Sequence, residues 1–228
     1  MHKHPKSNLA GLSMIKLDII SDPVCPWCYI GKTELDSAMA ERPNHPFTIE
    51  WHPYQLNPAM PAEGMDRKDY LEHKFGGRDG ALRAYAPILE RAEALGLAID
   101  FAAITRQPNT LNAHRLIHWA GLEGRQQAVV TAVFRSYFNE GCDIGSIAEL
   151  RKIGEACGMD QGMLERLFSA DADLDVMRAR DTHARERGVT GVPCFIISNE
   201  HVLQGAQPKA LWIQVIDELI ENMKDNID

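Results

Sequence analysis

A chain of 228 residues is long enough to bury a substantial core, so it fits one domain carrying a large insertion, or two small domains. Its 45% hydrophobic and 25% charged content is ordinary for a globular protein, and no segment approaches the roughly 20 consecutive apolar residues of a bilayer span. A net charge of -8 argues against a nucleic-acid or anionic-membrane surface, because both reward clustered Lys and Arg.

Residues 1–13 begin basic and polar, with His2 and His4 flanking Lys3, and read as a flexible terminus rather than a metal site. No apolar run of signal-peptide length ends there in a small-residue cleavage site, so the cytoplasm is the expected compartment. Residues 14–20 form a β-rich run, Met14-Ile15-Lys16-Leu17-Asp18-Ile19-Ile20, ended by Ser21-Asp22-Pro23. A helix is predicted over about 26–40, with Ile30, Leu35, Ala38 and Met39 on its buried side. Phe47-Thr48-Ile49-Glu50-Trp51-His52 alternates as a strand does before a turn around Pro53 and Pro58. This first block is β-α-β.

The second block is helical in pattern, with predicted helices over 66–75, 79–95, 110–122, 125–139, 146–157, 161–168 and 171–187. Gly96, Gly158 and Gly188 fall where helix C-caps would stand. In the third block Val192-Pro193-Cys194-Phe195-Ile196-Ile197 is strand-like, Ser198-Asn199-Glu200 turns, and His201-Val202-Leu203-Gln204 is a second short strand. An amphipathic helix over about 208–223 presents Leu211, Trp212, Val215, Ile216, Leu219 and Ile220 as one apolar stripe. The fold class is therefore α/β. It is a thioredoxin-like fold whose β-α-β half (14–60) and β-β-α half (189–228) are separated by an all-helical insertion (61–188).

Five cysteines are too few, and an odd number, for a disulfide framework. Two stand three apart, in Cys25-Pro26-Trp27-Cys28, directly after a strand and at the start of a helix. Residues i and i+3 of one helical turn lie close to the roughly 4.4–6.8 Å separation of Cα atoms that a disulfide needs. Free N–H groups and the helix dipole favour the thiolate at Cys25, the candidate nucleophile, while Cys28 one turn further in would resolve the mixed disulfide. Pro26 at the first helical position sacrifices no hydrogen bond. A zinc module is the competing reading of a CxxC, but no second CxxC, CxxH or HxxxH accompanies it, and no metal ligand is assigned. Gly191-Val192-Pro193 opens the second half of the fold, where a thioredoxin-like site sets a cis-proline loop opposite the CxxC. The Val192–Pro193 bond is therefore expected to be cis, with Pro193 shaping the site.

These residues resemble the DsbA-like thioredoxin superfamily, and within it the FrnE-like group of cytoplasmic oxidoreductases. The likeness is carried by the run from Ser21 to Gly31 around the CxxC, by the runs from Trp51 to Pro58 and from Asn109 to Leu116, by Gly188 to Pro193 and by Gln204-Gly205-Ala206-Gln207. The same superfamily includes 2-hydroxychromene-2-carboxylate isomerases and kappa-class glutathione transferases, which carry a serine where Cys25 stands. The resemblance implies dithiol–disulfide exchange through Cys25 and Cys28, with glutathione-dependent isomerisation or transfer as the alternative. Expected partners are protein or small-molecule thiols and disulfides, with a monomer or homodimer and no nucleic acid or membrane; no cofactor is expected beyond glutathione as a candidate co-substrate.

Pro26, Trp27 and Val192 are assigned to substrate binding beside the thiols, and Asn109, Thr110 and His114 to a groove between insertion and thioredoxin half. The ordinary reading of the last three is helix capping and a core histidine. Trp51, His52 and Tyr54 are further candidates for the groove wall, although Trp51 on a strand also reads as core. Cys194 departs from the non-thiol residue expected after the proline. It is read as a small buried hydrophobe pointing away from the face that Val192 presents. Cys142 and Cys157 are read as free thiols in a reducing compartment.

Overall fold

The computed structural model describes residues 14–225, and the expected flexible stretch 1–13 lies outside them. The first unit is β1 (Ile15–Ser21), α1 (Pro26–Glu41) and β2 (Phe47–Pro53), with β1 and β2 parallel in a register that sets Ile15 against Phe47 and Ser21 against Pro53. The last unit is β5 (Cys194–Ile197), β6 (His201–Gln204) and α9 (Lys209–Asp225). β5 runs antiparallel to β1, pairing Ile20 with Cys194 and Leu17 with Ile197, and β6 runs antiparallel to β5. The four strands form one mixed sheet in the order β2-β1-β5-β6.

β1 is central, and its run Leu17 to Ser21 is buried without alternation, as expected of a strand covered on both faces. On one face Leu17, Ile19, Phe47, Phe195 and Ile197 pack with α1 and α9, where Trp212 meets Phe195 edge-on at 4.8 Å. On the other face Ile20, Tyr54, Ala184, Val189, Cys194 and Ile196 make a smaller cluster. Val192, half-buried, borders both this cluster and the larger core on the opposite face of the sheet.

The insertion is built from α2 (Arg67–Phe75), α3 (Arg78–Ala94), α4 (Leu111–Leu122), α5 (Gln126–Phe138), α6 (Ile147–Ala156), α7 (Gln161–Ser169) and α8 (Leu174–Glu186). It is not wholly helical. Met65–Asp66 and Arg106–Gln107, here β3 and β4, pair as a two-stranded antiparallel ladder that ties the start of α2 to the approach of α4. Strands of two residues carry too little alternation to be read from sequence. α5 presses Phe134 and Phe138 against Tyr29 of α1, the rings stacking at 5.3 and 5.7 Å, so the insertion and α1 share one core. None of the described helices is long and apolar enough to cross a membrane.

Candidate active site

The turn between β1 and α1 is closed by Cys25 N–H donating to the Asp22 carbonyl at 2.9 Å. Cys25 is then the N-cap of α1 in an extended conformation, with Pro26 following and no side chain capping the helix end. Its carbonyl accepts from Cys28 and Tyr29 N–H at 3.0 and 3.3 Å, which starts the first turn and sets the two thiols on one side of it. The uncapped N–H end of α1 therefore starts at Cys25.

Cys25 is 4% exposed and Cys28 1%, and both are free thiols. Cys25 Sγ donates to the Val192 carbonyl at 3.5 Å, across the loop whose Val192–Pro193 bond is cis. Close approach of this loop to α1 depends on Gly31, where an added Cβ would stand 3.1 Å from Pro193 Cγ and 3.3 Å from Phe195 Cζ. Burial pushes the Cys28 thiol well above its ordinary range, and the adjacent Cys25 adds to the shift; the Ser21 side chain and Asp22 N–H oppose it. Cys28 thus holds its proton at neutral pH.

Beneath the thiols lies a buried polar group that centres on Asp22. Its carboxylate accepts from Leu56 N–H at 2.7 Å and Val24 N–H at 3.4 Å, and the Thr110 hydroxyl also reaches it. Desolvation nonetheless outweighs these bonds and pushes the carboxyl up to about 7. His114 Nε2 lies 3.8 Å from Asp22 Oδ1 without a hydrogen-bond partner, and its burial lowers that imidazole to about 4. Near neutral pH the pair is a half-ionised acid beside a neutral imidazole. Gln55 bridges outward: its N–H donates to Asp181 at 2.7 Å and its amide to Asn109 at 3.2 Å. Arg185 closes the network on Asp181 at 3.0 Å and on the Tyr54 hydroxyl at 3.0 Å.

The residues read from sequence fall at several depths. Cys25, Cys28, Pro26, Trp27, Val192 and Pro193 come together at the start of α1, with Trp27 and Val192 half-buried. Thr110 and His114 are buried under that turn beside Asp22, while Asn109 accepts from Leu111 N–H at 2.9 Å at the start of α4 and donates to the Met60 carbonyl at 2.7 Å. Trp51 is core and donates to Gln127 at 3.1 Å; His52 pairs with Asp18 at 2.6 Å. Cys194 is buried away from solvent, and Cys142 and Cys157 are free and half-buried. Asp22 belongs to the run from Ser21 to Gly31, and its sequence signal is an acidic residue in the short turn between a strand and the CxxC. Gln55, Asp181 and Arg185 carried none, because their meeting depends on the packing of α8.

A model of the DSBA-like thioredoxin domain family matches residues 16–213. The uncharacterized protein YwbO of Bacillus subtilis (strain 168) is 28% identical over 205 residues, covering 90% of this chain and 96% of that protein. Among solved structures, a probable DsbA oxidoreductase from Streptomyces coelicolor superposes with a TM-score of 0.77 at 27% identity, covering 90% of this chain and 89% of that one. The cytosolic disulfide reductase DsbM of Pseudomonas aeruginosa, solved with GSH, matches in fold with a TM-score of 0.63 at 19% identity, covering 90% of this chain and 99% of its own.

Proposed function

The chain belongs to the DSBA-like thioredoxin domain family, and we propose that within it this protein is a thiol–disulfide oxidoreductase cycling Cys25 and Cys28 between dithiol and disulfide. The observation that carries the reading is the placing of two free thiols on one turn at the uncapped start of α1, with Cys25 Sγ on the Val192 carbonyl. The Cys25 thiolate attacks a substrate disulfide and expels one substrate thiolate, leaving a Cys25–substrate mixed disulfide. Cys28 then attacks Cys25 Sγ, expels the second thiolate and closes the protein disulfide, so that two electrons pass to the substrate. Run backwards, the same steps oxidise a substrate dithiol.

The second attack requires Cys28 to lose a proton that burial makes it hold. Asp22, whose N–H reaches Cys28 Sγ, carries a carboxyl near 7 and is the proposed acceptor of that proton, with the Thr110 hydroxyl positioning it and the neutral His114 beside it. Protein disulfides and glutathione are the proposed partners, the latter supported by the GSH held in the related DsbM fold, and the cytoplasm is the proposed compartment. Wild type and Cys25→Ser are compared in insulin reduction and in oxidation of a peptide dithiol. Loss of both activities in the variant is expected; equal activity in the two proteins ends the proposal.

A further inference from the structure

The outer side of α3 carries a pattern that its own chain leaves uncovered. Ala81, Ile88 and Ala92 are buried against the protein, while Leu82 is 57% exposed and Leu89 45%. At the angular step of an α-helix, Arg78, Leu82, Ala86, Leu89 and Glu93 fall within an arc of about 80° and form one stripe along α3. Its order is charge, leucine, alanine, leucine, charge, with opposite signs at the two ends. A second copy laid antiparallel therefore sets Arg78 against the partner's Glu93 and Leu82 against the partner's Leu89. Ala86 falls near the two-fold axis, where a small side chain lets the helices approach.

The charges at the ends of the stripe do not suit the helix that carries them. A cation at the first residue of α3 and a carboxylate in its last turn both oppose the helix dipole. Arg91, on the inner side, pairs with Glu34, whereas among the described residues Arg78 and Glu93 have no ion-pair partner. In the antiparallel pair each of them meets an opposite charge and the favourable end of the partner helix.

The surface beside the stripe is concave and largely apolar at both ends. Leu71, Leu82 and Phe101 wall a cavity of about 810 Å³ next to Arg78, and Leu89, Leu97 and Ile99 wall one of about 350 Å³ next to Glu93. Antiparallel pairing lays the second over the first, so the exposed leucines and the walls behind them leave water together. The 17 residues of α3, about 26 Å long and about 10–12 Å wide, cover roughly 300 Å² of each copy. That is short of the roughly 800 Å² per partner of a standard interface, so even with the flanking walls the association belongs to the weak, reversible class.

We propose that α3 is the two-fold interface of a homodimer, its stripe of Arg78, Leu82, Ala86, Leu89 and Glu93 pairing antiparallel with the same stripe of a second copy. The assignment is independent of the exchange activity proposed above.

Sedimentation equilibrium of the full chain, kept reduced so that no disulfide links two copies, tests it from about 1 to about 300 µM. Wild type is expected to dimerise with a Kd in the micromolar range. Because the two-fold axis repeats every contact, Arg78→Glu and Glu93→Arg should each weaken the dimer about tenfold or more. Together the two reversals restore opposite charges, and the double variant should return to within about threefold of wild type. Each new charge suits the helix dipole at its own end, so α3 has no reason to unfold. Leu89→Asp, which sets a carboxylate against the partner's Leu82, should leave only monomer. A wild type that stays monomeric throughout the range leaves the stripe to a different partner and overturns the proposal. Dimerisation unchanged in Leu89→Asp, or a double reversal no tighter than the single ones, overturns it equally.

Discussion

Asp22 and His114 should leave opposite marks on the pH dependence of stability, and Asp22→Asn separates them. Below pH 3.8 the Asp22 carboxyl is protonated in both folded and unfolded chains and costs nothing; as the pH rises towards about 7 the unfolded chain ionises first, and folding loses stability. The interval from 3.8 to about 7 corresponds to about 4 kcal/mol, fully expressed above pH 7. His114 runs the other way: between 6.5 and about 4 the unfolded chain takes a proton that the buried imidazole refuses, and stability falls on acidification by about 3 kcal/mol. In the wild type the two slopes largely cancel. An asparagine can keep the Leu56 N–H bond through its oxygen and turn its amide toward the unpartnered His114 Nε2. Asp22→Asn should therefore match wild type near pH 4, exceed its stability by up to about 4 kcal/mol at pH 8, and expose the His114 slope. Urea unfolding of the reduced proteins from pH 4 to 8 measures this. A difference that does not change with pH, or a variant less stable at pH 8, would refute the reasoning. The same variant should exchange disulfides more slowly, since it cannot accept the Cys28 proton.

Cys28→Ala should stall exchange at the first step, so that glutathione disulfide leaves one glutathione on Cys25; an intact mass without the adduct would contradict the assigned order of attack. Gly31→Val places a side chain against Pro193 and Phe195 and should cost about 1–3 kcal/mol in urea unfolding, with slower exchange as the proline loop is pushed outward. Glu34 is buried, pairs with Arg91 of α3 and accepts from Lys209 N–H at 2.8 Å. Glu34→Gln should lower stability by about 1–3 kcal/mol, and an unchanged denaturation midpoint would show that those contacts carry no net weight.

The elements around the thiols were legible because each has a strong local cause. β1 is rich in β-branched and apolar residues, α1 starts at Pro26 soon after it, and α9 shows its stripe at helical spacing. β3 and β4 had no such cause, since two-residue strands are held by their ladder and not by a pattern. The pair of thiols could be read from spacing, but the acid below them could not: Asp22 becomes a perturbed group only when Leu56, Thr110 and His114 enclose it. Arg67 was equally silent, as an arginine in a polar helix start looks like a solvated residue until Gln107, Tyr137 and Tyr85 close over it.

The insertion and the redox helix are mechanically one piece at the point where chemistry is proposed. Tyr29, one residue after Cys28, stacks on Phe134 and Phe138 of α5; Phe138 meets Phe101 edge-on at 6.2 Å; and Phe101 stacks on Tyr85 of α3. An unbroken line of rings thus runs from the first turn of α1 to Tyr85 of α3. Close-packed aromatic contacts of this kind resist independent movement, because shifting one ring opens voids at its neighbours. Displacing Phe101 or Tyr85 would therefore press, through Phe138 and Tyr29, on the turn that holds both sulfurs.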